Sequence, residues 1–133
     1  MTFRNRAALL IGTVAVLTGL AAPAAYASTP IVVAGCSANG EFAICSAAGT
    51  ARHHPLRIVL HVRANPPQSV SGAWDMTCSK GTGAGGSSGM YHTGTPINRV
   101  LHKPYRHPDS CIVSADGQLG RRGKIHLWIS YTH

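Results

Sequence analysis

Acidic side chains are almost absent from this chain: Glu41, Asp75, Asp109 and Asp116 are its whole complement in 133 residues. Glycosidase chemistry, which needs two carboxylates flanking one bond, therefore has few pairs to draw on. The best-placed pair, Asp109 with Asp116, falls in a His-Pro-Asp-Ser stretch and an Asp-Gly step, both of which read as turns. Metal and nucleotide signatures are missing too. No H-E-x-x-H, no C-x-x-C and no G-x-x-x-x-G-K-[ST] occurs. Beyond residue 22 no apolar run is long enough to span a bilayer, and no segment sustains a helical period, which argues against a helical bundle.

What is present begins with an address. Arg4 and Arg6 precede an apolar run over residues 7–22, Pro23 closes it, and Ala25-Tyr26-Ala27 offers small residues at the two positions a signal peptidase reads. The dense apolar core, residues 9–20, would be only about 18 Å long as a helix, against about 30 Å for a bilayer core. The sequence thus predicts a signal peptide over 1–27, cleaved after Ala27, and a secreted chain over 28–133. Val33-Ala34-Gly35-Cys36 also has the pattern of a bacterial lipobox, but PAAYASTP separates it from the apolar core, and lipidation would leave an odd number of cysteines. The remaining 106 residues accommodate one domain. Cleavage removes two arginines, so ten Lys and Arg face four acids and the net charge is +6. The eight histidines raise it further below about pH 6.5. Such a balance favours anionic partners: cell-wall polymers, acidic lipid or nucleic acid.

Four cysteines in an exported chain of this size predict two disulfides, for which three connectivities exist. Cys36 with Cys45 and Cys78 with Cys111 is the expected pairing. Asn39-Gly40 marks a hairpin between the first two. A two-residue turn there would leave Cys36 diagonal to Cys45, about 7 to 8 Å away and too far for a relaxed bridge, whereas a four-residue loop over 39–42 sets them opposite. A thiol nucleophile is excluded once all four are bridged.

Alternation supplies the architecture. Leu56, Ile58, Leu60 and Val62 alternate with Arg57, Val59, His61 and Arg63 until Asn65-Pro66-Pro67 interrupts. Residues 69–78 place Val70, Trp74, Met76 and Cys78 on one face. Cys111, Val113 and Ala115 form a shorter alternation. At the end of the chain Ile125, Leu127, Ile129 and Tyr131 oppose Lys124, His126, Trp128, Ser130 and Thr132. With residues 31–34 and 42–46 this makes about six strands. The expected fold is all-β: a small disulfide-stabilised antiparallel β-sandwich, Ig-like, or a partly open barrel.

Residues 78–90 read CSKGTGAGGSSGM. Gly85-Gly86-Ser87-Ser88-Gly89 satisfies G-x-S-x-G formally, but a nucleophile elbow needs a strand before it and a helix after it, and neither is signalled. Lys80 precedes the glycines, where it cannot act as a P-loop lysine. The tract reads as a mobile connection between the bridged cysteines. His107, Asp109 and Ser110 supply the letters of a triad, but neighbours in one turn do not converge as a triad does. Of the histidines, His53, His54 and a strand residue such as His61 are the group that could meet on a metal; the others, His92, His102, His107, His126 and His133, are scattered. The expectation is surface histidines, no metal and no cofactor.

Strand parity gives the one candidate binding face. Arg57, His61 and Arg63 project together from one strand, and Lys124, His126 and Trp128 from another. Were these strands neighbours, the result would be a basic face with a central tryptophan, suited to a polyanion by charge and to a sugar or base by stacking. Export and the lack of repeated exposed aromatics disfavour nucleic acid as the partner.

Two resemblances attach to particular segments. The leader, the preference for arginine over lysine, and the stretches VRANPPQSVSGAWDMTCSKG and PDSCIVSADGQLG resemble small secreted actinobacterial proteins of uncharacterised function, which implies secretion and no particular activity. The cysteine count and mature size are similar to the bacterial subtilisin-inhibitor family, small secreted proteins with two disulfides and a protease-binding loop beside a cysteine. That resemblance implies an exposed inhibitor loop after Cys78, with Lys80 presented to a trypsin-like protease. The family's proline-containing reactive segment is missing, and glycines follow Lys80. The sequence therefore points first to a monomeric, non-enzymatic secreted protein that binds an anionic ligand or surface at or outside the cell envelope, and second to a protease inhibitor.

Overall fold

A computed structural model describes residues 28–133. The expected signal peptide over 1–27 and its expected cleavage after Ala27 fall outside these residues. Eight strands follow one another: β1 (Ile31–Gly40), β2 (Ile44–Ala51), β3 (Arg57–Asn65), β4 (Ser69–Lys80), β5 (Gly83–Gly94), β6 (Ile97–Val100), β7 (Ser110–Leu119) and β8 (Gly123–Thr132). They form two four-stranded antiparallel sheets, β1-β8-β3-β6 and β2-β7-β4-β5. Among the described residues no helix is long and apolar enough to cross a membrane.

The expected two-sheet, all-β architecture is the one observed, with open sheets. Its strand order is that of a jelly roll, and not the order of an immunoglobulin domain. First and last strands pair, as do β2 with β7, β3 with β6, and β4 with β5. The chain is thus one long hairpin, its tip between β4 and β5, rolled up so that both sheets share a core. The roll is sealed by β3 against β8 and β4 against β7.

Alternation explains the core. Ile58, Leu60 and Val62 of β3 and Ile125, Leu127 and Ile129 of β8 are fully buried, facing Val70, Met76 and Cys78 of β4 and Cys111, Val113 and Leu119 of β7. Leu56 departs from its expected inward place: it precedes β3 and is 56% exposed. The run starting at Cys111 does not stop at Ala115 but continues to Leu119, so Asp116 sits within a strand and not in a turn.

Both disulfides join the expected cysteines. Cys78 and Cys111 are cross-strand partners within one sheet. Cys36 and Cys45, however, do not belong to a paired hairpin. β1 pairs with β8 and β2 with β7, so residues 41–43 form a corner between sheets, and Phe42 takes a positive φ of 51° there. The first disulfide therefore staples the two sheets together, with its Cα atoms 5.8 Å apart.

The largest correction concerns the glycine tract. It is not a mobile connection but the edge strand β5, paired with β4 over its full twelve residues. Lys80 pairs with Gly83, leaving Gly81 and Thr82 as a two-residue turn. Gly81 has φ +59° at its first position, as a type II′ hairpin requires, and its N–H donates to Asp109 Oδ2 at 2.8 Å. The inward glycines make room for aromatics. A Cβ on Gly89 would come within 2.7 Å of the Trp74 indole, and one on Gly85 within 3.1 Å of the Tyr105 ring. Glycine is selected here by close approach, not by looseness.

Candidate anion-binding face

β3 and β8 are adjacent in register, so the condition for a shared face is met: His61 lies opposite Trp128, Arg63 opposite His126, and Arg57 opposite Thr132. All six residues singled out by parity, Arg57, His61, Arg63, Lys124, His126 and Trp128, lie on the outer side of the same sheet. Lys124 stands opposite Asn65, at the sheet's end.

The centre is ordered by stacking. His61 lies parallel to the Trp128 indole at 4.8 Å between centroids and 6° between planes. His126 stacks at 4.8 Å and 27°, and the Arg63 guanidinium carbon is 5.4 Å from the ring centroid. Three groups thus already engage the indole, which makes Trp128 a support for cations more than a platform for a sugar or base. Gly35 of β1 lies opposite Trp128, and a Cβ there would sit 3.3 Å from the tryptophan Cβ.

Two side-chain partners, Asn98 and Ser130, had no signal in the sequence. Asn98 of β6 accepts from Arg63 Nη1 at 3.4 Å and Nη2 at 3.3 Å through Oδ1. The same oxygen is 2.8 Å from His61 Nδ1, which must therefore carry a proton. His61 Nε2 pairs with Ser130 Oγ at 2.8 Å. Arg63 Nη1 also donates to the carbonyls of Val62 and Ile97. Asn98 lies on a four-residue strand, too short for an alternation to be read.

Charge on this face is not neutralised internally. Among the described residues the one ion pair is His54 with Asp109, at 3.6 Å, and neither belongs to this face. Asp75 and Asp116 lie on the outer face of the other sheet, which carries no arginine on its strands. Lys103 is used structurally: its ammonium donates to the carbonyls of Pro55, Leu56 and Arg106, and burial lowers its pKa.

The other candidates are dispersed. Asp109 and Asp116 are separated by seven residues, about 23 Å along a strand at ~3.3 Å per residue, beyond the reach of any glycosidase pair. Asp75 and Asp116 share a shallow depression with Ser46, Ser88, Met90 and Ser114, but both carboxylates are exposed and Asp116 Oδ1 accepts from the Ala73 N–H. Ser110 bonds Ser79, and Asp109 faces His54, so the triad letters do not assemble. No group of three metal-capable side chains occurs among the described residues. Lys80 ends a strand at a tight hairpin, so the extended loop that an inhibitor would present is not formed after Cys78.

Comparison of the chain with family models, curated proteins and solved structures finds no match. A jelly roll hosts many unrelated activities, so function has to be argued from the face itself.

Proposed function

We propose that this is a non-enzymatic, exported protein whose β3/β8 face holds an anionic polymer at or outside the cell envelope. The observation that carries the reading is a face of basic side chains, Arg63 held in place among them, with no carboxylate in the group. Two closed disulfides and no free cysteine are compatible with an oxidising compartment. Arg63 is held in place by Asn98 and two carbonyls before any ligand arrives, which lowers the entropy lost on binding.

The test is retention of the purified protein on cell-envelope fractions and on heparin at two salt concentrations. Retention is expected to fall with salt, log K dropping by roughly 0.7 to 0.9 per released counterion for each decade of salt. Replacing Arg57, Arg63 and Lys124 together by alanine is expected to flatten that dependence. Retention indifferent to salt would overturn the proposal.

A further inference from the structure

The β3/β8 face ends at a turn whose chemistry continues it. β8 begins at Gly123, and Arg122 is the turn residue just before it, two positions from Lys124. Arg121 and Arg122 are both exposed. Their backbone is not free. Gln68, only 9% exposed, accepts from the Arg121 N–H at 2.8 Å and donates to the Arg122 carbonyl at 3.3 Å. Gly120 N–H donates to the Ser69 carbonyl at 3.1 Å, and Gly123 packs so closely that a Cβ there would lie 2.6 Å from Gln68 Nε2. The Arg122 guanidinium has no hydrogen bond or ion pair among the described residues.

We infer that Arg122 is the terminal contact of an elongated track that takes a linear polyanion laid lengthwise along β8, its charged groups meeting Arg122, then Lys124, then the facing pair His126 and Arg63. The inference rests on the polyanion reading and adds the ligand's shape to it. Alternate residues of a strand repeat every ~6.7 Å, so Lys124 and the His126/Arg63 pair lie one such repeat apart, with Arg122 two residues before Lys124. A compact anion occupies one or two of these positions and cannot engage all of them at once. A chain of phosphates or sulfates does. The buried Gln68 matters because a fixed turn presents its arginine at little entropic cost.

Binding of tripolyphosphate and of long-chain polyphosphate to the purified protein, followed over a salt series, tests this. Heparin run alongside separates a sulfated polysaccharide from a phosphate polymer as the preferred chain. Arg122→Ala is expected to weaken the preferred long chain several-fold and to lower its salt slope by roughly 0.7 to 0.9, one counterion's worth. Tripolyphosphate binding is expected to stay unchanged. Arg52→Ala, which removes the same charge away from the track, is the control. If Arg122→Ala matches Arg52→Ala on long chains while the wild type binds them, the elongated track is wrong and the basic face stands. If the wild type binds neither chain in a salt-dependent way, both fail.

Discussion

Tyr91 shows how single residues hold the sheet that carries no binding cations. It stands opposite Gly72 of β4, lies across it, and donates its hydroxyl to the Asp116 carbonyl on β7. Burial first, and the nearby Asp116 charge second, push its pKa up to about 12 from the ordinary 10.0. Below the ordinary phenol range neither folded nor unfolded chain ionises, and this group leaves stability level. Between about pH 10 and about 12 only the unfolded chain loses the proton, so stability falls as pH rises. Denaturant titrations on both sides of that window should show the decline. Tyr91→Phe should abolish it while costing about 1 kcal/mol at neutral pH. A decline undiminished in Tyr91→Phe would assign it to another group. Nothing in the sequence marked Tyr91, because its partners, Gly72 and Asp116, come from two other strands.

At the scale of elements, β5 was hidden because its residues carry no hydrophobic alternation. Glycine and serine have low strand propensity, so the strand exists through its ladder with β4 and through the aromatics laid over it. Position, not composition, should therefore decide the effect of added methyl groups. Gly89→Ala forces a Cβ into the Trp74 indole and should cost about 1 to 3 kcal/mol. Gly86→Ala points outward, 3.7 Å from its nearest neighbour, and should stay within about 0.5 kcal/mol of wild type. Thermal melts of the two variants separate a packed strand from a flexible linker, in which both would be silent. The strands read correctly, β3, β4 and β8, are those whose two faces differ in polarity. β6 escaped because four residues are too few for a period.

For the whole molecule, the two disulfides act at different levels: one joins the sheets, the other locks neighbouring strands. If crosslinks stabilise by restricting the unfolded chain, the Cys78–Cys111 bridge, with sequence separation 33, should contribute more than Cys36–Cys45, with separation 9. The chain-entropy estimates are about 3.8 and 2.7 kcal/mol. Paired cysteine-to-alanine variants compared by denaturant midpoint should follow that order. The reverse order would mean that the inter-sheet staple sustains native packing beyond its entropic share. The all-β class and the outward side chains of β3, β4 and β8 followed from the sequence alone, because side-chain direction has a period of two and is local; the cysteine pairing was expected on a hairpin that the structure does not form. What no local pattern shows is that β3 lies beside β8, that glycines form an edge strand, that Asn98 and Ser130 bond His61, and that Gly35 lies opposite Trp128. Those facts depend on how the long hairpin rolls, which brings together residues as far apart as His61 and Ser130, and no local pattern records it.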